Sequence, residues 1–244
     1  MSEQVVSFGY LGKLPSVGDF LQDNVDTDFQ EVWDRWLQAV LSVSKERMGD
    51  SWKDKFLTGP VWHFGMSPGI AGDSAKMGTV MPSMDVVGRP YPFTLVADTD
   101  NLPVEVMESD ALCLEYEDAV LAVLEDSVDL FSWRKEVEKA VKPIADVSKR
   151  YKYFTSPDEN KTAQVFEFSG TELGGGAMQD MLHALLYKKY GSYSIWWTHG
   201  SCLLSPSVII TSGLPSVNQA AAMFDGRWQQ WQWNHVQVRD NDKN

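Results

Sequence analysis

Gly12–Phe20 reads GKLPSVGDF. Two glycines, a proline, a lysine and an aspartate crowd these nine residues, a composition that suits a sharply bent turn. The β-branched and aromatic run Val5–Leu11 leads into it and predicts a strand. On its other side Phe29, Val32, Trp33, Trp36, Leu37, Val40 and Leu41 recur at spacings of three and four, which predicts an amphipathic helix with one buried face. Thr27 and Gln30 stand as a capping box at its start, and Gly49 as its stop. The chain therefore opens with strand, bent exit and helix.

The same grammar continues. Pro60–Met66 (PVWHFGM), Gly78–Met81 and Tyr91–Ala97 read as strands. Pro68–Gly78 is a Gly-rich turn region, and Pro82–Pro90 (PSMDVVGRP) is a second compact bend. Tyr91–Ala97 is nearly all apolar, as in strands covered on both faces. Between residues 98 and 129 there are eleven Asp or Glu and no Lys or Arg, yet apolar residues keep a helical spacing. Asp110–Glu125 thus predicts a helix with a carboxylate-rich outer face, either solvated or steering a basic partner. Ser132–Val147 predicts another helix, within a basic stretch running from Arg134 to Lys152.

Ser156–Thr162 (SPDENKT) is the best loop and marks a subdomain break near 155–162. Val165–Phe168 reads as a strand, Gly174–Gly176 as a turn, and Met178, Met181, Leu182, Leu185 and Leu186 mark a helix. Ser194–Thr198 (SIWWT) and Ser207–Thr211 (SVIIT) read as strands, Ala220–Phe224 as a short helix, and Trp231–Val238 as an edge strand. Residues 239–244 read as a disordered tail. LPSV occurs at Leu14–Val17 and again at Leu214–Val217, with MPSM at Met81–Met84, a recurrent strand-exit chemistry. The alternation of strands and helices predicts an α/β fold: a three-layer α/β/α sandwich with a mixed sheet, in a single domain over residues 1–238.

Composition excludes several functions. A net charge of −13 disfavours nucleic acid and anionic membranes as main partners, because phosphate binding needs clustered Lys and Arg. Cys113 and Cys202 form no CxxC pair and no disulfide framework, which points to a reducing compartment. The first residues show no secretory signal pattern, and no apolar run reaches the ~20 residues of a membrane span. A cytoplasmic protein is expected.

The catalytic motifs are missing. Walker, G-x-G-x-x-G, G-x-S-x-G and HExxH patterns do not occur. His63, His183, His199 and His235 stand at no metal-ligand spacing, so neither metal nor cofactor is expected, and His63 reads as a satisfied core histidine. Asp19, Asp85 and Arg89 lie among apolar and turn residues, where a charge needs a partner. Asp85 could pair with Arg89 across its turn, or Asp19 with Arg89 between adjacent turns. Such a pair fixes loops, or it lines a polar pocket at the strand ends. Gly12, Lys13 and Gly18 could also cradle an anion.

Seven stretches carry a resemblance: GKLPSVGDF (12–20), WDRWL (33–37), PVWHF (60–64), VMPSMDVVGRPYPF (80–93), SIWWT (194–198), SGLPS (212–216) and FDGRW (224–228). In this order they resemble the TagF/ImpM family, associated with type VI secretion in Gram-negative bacteria. Tyr91-Pro92-Phe93 departs from the family's usual aromatic-proline-leucine ending. The resemblance implies a cytoplasmic accessory protein that restrains type VI secretion after translation. It would act by binding a scaffold protein with a forkhead-associated domain, apart from the kinase–phosphatase pathway. It also implies a three-layer α/β sandwich and supplies no catalytic residue, so no enzyme is expected. The loop residues Gly12, Lys13, Ser16, Gly18, Asp19, Ser83, Asp85 and Arg89 are the partner- or ligand-binding candidates. Two other readings stand beside this one. The first is a small-ligand or anion sensor, or a cryptic enzyme, using Asp19, Asp85 and Arg89. The second is a structural component of the secretion baseplate.

Overall fold

Strands β1 (Gly9–Gly12) and β2 (Leu21–Asp23) form a hairpin around the GKLPSVGDF stretch, with Tyr10 opposite Asp23. They belong to one seven-stranded sheet in the computed structural model, which describes residues 6–125, 128–142, 144, 166 and 176–238. The other strands are β3 (Trp62–Met66), β4 (Ala75–Met81), β5 (Phe93–Thr99), β6 (Tyr193–Thr198) and β7 (Ser207–Ser212). Their order is β2-β1-β5-β4-β3-β6-β7.

Every neighbouring pair is antiparallel, so the expected mixed sheet is corrected to an antiparallel one. Strand–helix alternation suggested parallel crossovers, but the pairs β1–β2, β3–β4, β4–β5 and β6–β7 return directly on themselves. Such returns need no helical crossover.

Among the described residues the helices are α1 (Thr27–Met48), α2 (Trp52–Leu57), α3 (Pro103–Glu108), α4 (Leu114–Leu121), α5 (Leu130–Ala140), α6 (Ala177–Tyr190) and α7 (Ala222–Asp225). Asp26, not Thr27, caps α1: its carboxylate accepts from the Phe29 N–H at 2.7 Å. Aspartate is the stronger cap, and it stands one residue upstream of the expected threonine. Gly49 ends the helix with φ 59°, as expected.

Side chains alternate along the strands between two apolar clusters. Phe93, Leu95, Ala97, Ile195 and Trp197 join residues of α3, α4, α5 and α6. Val96 and Trp196 join Trp33, Trp36, Leu37 and Val40 of α1 and Met223 of α7. The first and last thirds of the chain meet in the second cluster. Trp33 stacks on Trp196 with ring centroids 5.8 Å apart, and its Nε1–H donates to Thr94 Oγ1 at 3.0 Å. The Trp36 Nε1–H donates to the Pro215 carbonyl at 2.8 Å, which ties the second LPSV exit to α1. Both buried indoles thus find a partner while their rings fill the core.

Several boundaries move. The first strand begins at Gly9, and the short polar β2 carries too little pattern to be read. Ala75–Met77, read as turn, belongs to β4. The acidic helix over 110–125 narrows to α4 plus a tight turn at Ala122–Leu124. The unforeseen α3 starts at Pro103, whose neighbour Leu102 donates its N–H to Glu105 Oε2 at 2.7 Å. Trp231–Val238 forms no strand; Trp231 is buried against Ala221 and Ala222 instead. Met178, Leu182 and Leu185 sit on α6 as expected, but exposed. The expected loop at 156–162, the tail at 239–244 and most of the strand at 165–168 lie outside the described residues.

Candidate functional site

Gly12 of β1 lies opposite Phe93 of β5 in the sheet register, so the loop leaving β1 and the loop entering β5 must emerge side by side. Gly12 makes this approach possible. Its φ is +134°, and a Cβ there would sit 2.2 Å from the Pro92 carbonyl oxygen.

The two loops are joined through Asp85, which is 1% exposed. Its Oδ2 accepts from Lys13 Nζ at 3.0 Å and Arg89 Nε at 2.6 Å. Its Oδ1 accepts from the backbone N–H of Arg89 at 2.9 Å and of Val87 at 3.2 Å. Burial pushes this carboxyl up, but the Arg89 N–H and the Lys13 and Arg89 cations overcome it and hold the group well below the usual carboxylate range. Ser83 Oγ donates to the Lys13 carbonyl at 2.7 Å, and the Val86 N–H donates to the Val17 carbonyl at 3.2 Å. Arg89 also reaches the Gly18 carbonyl at 3.4 Å.

Six of the eight candidate residues therefore form one unit: Gly12, Lys13, Gly18, Ser83, Asp85 and Arg89. Ser16 and Asp19 stand exposed on its rim. The Asp19–Arg89 pair does not form, because Asp85 lies closer along the chain and takes the guanidinium. The partner of Asp85 that sequence reasoning missed is Lys13, which stands in the neighbouring loop, just past the end of β1.

The rim is apolar for a surface. Val86 is 59% exposed, Val87 69% and Phe20 41%. Phe20 packs edge-on against Tyr91, 5.4 Å between centroids. The Tyr91 hydroxyl donates to Asp34 of α1, and burial with the Asp34 carboxylate pushes the phenol up. Helix α1 thereby anchors the double loop from beneath. Chemically the Asp85 carboxylate is closed: four donors, Lys13 and Arg89 among them, consume its oxygens. A cavity of about 1070 Å³, lined in part by Asp26, Lys76, Asp98 and Lys142, lies elsewhere, and none of the eight residues lines it.

A second polar cluster brings together residues from three separate elements, which is why no spacing announced it. His63 of β3 is 0% exposed and faces Trp197 of β6 across the register, so His199 lies two residues along the same face. Helix α4 crosses this face and contributes Glu117. Glu117 Oε2 lies 3.2 Å from His63 Nε2 and 2.9 Å from His199 Nδ1. Thr79 Oγ1, opposite His63 on β4, lies 2.8 Å from His63 Nδ1 and donates to the Tyr116 hydroxyl at 3.1 Å. Burial lowers the His63 pKa despite Glu117. His63 is thus a core histidine, as expected, but not only that. With its two neighbours it makes a three-atom donor set that no spacing in the sequence indicates.

The family described as "TagF N-terminal domain, Type VI secretion system-associated" matches residues 9–140. The chain belongs to the TagF family. The matched stretch holds both loops of the Asp85 unit, as well as His63 and Glu117, and stops before β6 and His199. Among solved structures, the crystal structure of PA0076 from Pseudomonas aeruginosa PAO1 superposes with a TM-score of 0.70 at 24% identity. The alignment covers 96% of this chain and 99% of that one, so the two share a fold over nearly their whole lengths. No curated protein matches the sequence. Among the described residues no helix is long and apolar enough to cross a membrane.

Proposed function

We propose that this TagF-family protein is a cytoplasmic, non-enzymatic accessory of type VI secretion. It restrains the system after translation by binding a scaffold protein with a forkhead-associated domain. The double loop presented by Gly12–Phe20 and Pro82–Pro92 is the contact. One observation carries this reading: a base cross-linked through the buried Asp85 carboxylate holds Val86, Val87 and Phe20 out in water. A surface that is apolar at its tip and ordered beneath suits a protein partner, because little entropy remains to be lost on docking. The closed Asp85 ion pairs argue against a ligand pocket or active centre at these residues. The two apolar clusters flanking the sheet support a single three-layer α/β/α domain as the scaffold of this surface.

The test is effector release from a strain lacking the gene. Deletion should raise release, and the wild-type gene should lower it again. The variant Val86→Asp/Val87→Asp, with wild-type melting, should fail to lower it. Unchanged release on deletion would contradict the reading. Abolished release would favour a structural baseplate role, because that role predicts the opposite sign.

A further inference from the structure

We propose that His63, Glu117 and His199 form a binding site for a divalent first-row transition cation, zinc foremost. The three donor atoms lie within 4.8 Å of one another. The two measured edges of that triangle, 3.2 and 2.9 Å, are close to the separation of about 3.3 Å between ligand atoms around a tetrahedral zinc. Little movement is needed to place an ion among them. Two imidazole nitrogens and one carboxylate oxygen suit zinc and its neighbours rather than magnesium or calcium, which take all-oxygen shells.

The surroundings are those of a ligand site. With the Thr79 hydroxyl proton directed to Tyr116, Thr79 Oγ1 accepts from His63 Nδ1–H. In that tautomer the Nε2 lone pair faces Glu117 Oε2, and a cation would lie between the two. Two acceptors at 3.2 Å repel unless a proton or a cation lies between them. The site is reachable, because the His199 side chain is partly exposed. Three protein ligands leave a fourth position for water or a donor from a partner. An ion there would cross-link β3, α4 and the residue following β6, elements far apart in sequence.

The test uses the tag-free full-length protein, stripped with a chelator and titrated with cobalt(II), then zinc(II). One cobalt per chain should bind with the visible absorption of a tetrahedral ion, and zinc should displace it. His199→Ala and Glu117→Gln change partly exposed side chains. Each should weaken binding by at least on the order of 100-fold, and Thr79→Val by about tenfold, because orienting groups alone carry effects of that size. Circular dichroism checks the fold; should Glu117→Gln fail to fold, His199→Ala decides alone. The proposal is overturned by no saturable cobalt or zinc binding. It is equally overturned if His199→Ala binds within about tenfold of wild type.

Discussion

Asp85 and Glu117 are two carboxylates that each face two basic side chains, and they differ in what that pairing achieves. Asp85 is met by Lys13 and Arg89, permanent cations, and by two backbone N–H groups. All its acceptor capacity is consumed, and the result is a fixed shape. Glu117 is met by His63 and His199, whose rings are neutral or charged according to their surroundings. Their nitrogens can exchange a proton for a metal ion. The first arrangement is architecture that displays a surface, and the second retains chemistry.

Changes at four places press on this contrast, from the largest expected effect on stability to the smallest. Asp85→Ala strips the partners from Lys13, Arg89 and two loop N–H groups, and should lower the denaturant midpoint most. The sign of its pH dependence is fixed. The folded carboxyl lies below its unfolded value near 3.9, so its contribution is fully present above that value. It is lost as pH falls toward the folded one. Urea midpoints of wild type and Asp85→Asn should therefore converge in acid. A gap that widens in acid would mean that Asp85 is not the hub.

His63→Ala removes a buried ring and leaves Thr79 without its imidazole partner, which should lower stability by about 2–4 kcal/mol in urea unfolding. His183 provides a control histidine away from Glu117. It is buried beside the Tyr193 hydroxyl at 2.7 Å, and burial lowers its pKa to about 4. The unfolded chain takes up this proton near pH 6.5, but the folded one does not until about 4. Stability should therefore fall between these values on acidification, and His183→Phe should flatten that part of the profile in thermal melts. An unchanged slope would contradict the assigned burial effect. Smallest of all, Val86→Asp/Val87→Asp touches only exposed side chains and should shift stability by no more than about 0.5 kcal/mol in urea unfolding. A larger shift would mean that the tip is part of the fold rather than a presented surface.

The contrast also explains what the chain discloses in one dimension. Asp85 and Arg89 are four residues apart in one bend, so their pairing could be read, and the bent exits at Gly12–Phe20 and Pro82–Pro90 were visible from composition. Helix α1 and strands β3, β5, β6 and β7 were legible from their periods and apolar runs. Strand direction was not, because pairing such as Gly12 with Phe93 is decided by contacts between distant residues. Strand β2 and helix α3 are too short to carry a period. The His63–Glu117–His199 cluster needs β3, α4 and the end of β6 to meet, and no local spacing encodes such a meeting. The capping misreading at Thr27 was a local contest that the neighbouring Asp26 won.

The central claim is that the double loop is held rigid so that its apolar tip can be bound. It is tested most directly by calorimetric titration of the purified forkhead-associated-domain scaffold into wild-type protein and Val86→Asp/Val87→Asp. Saturable binding to the wild type, lost in the variant while both melt alike, is the predicted result. Equal affinity of the scaffold for both proteins would contradict it.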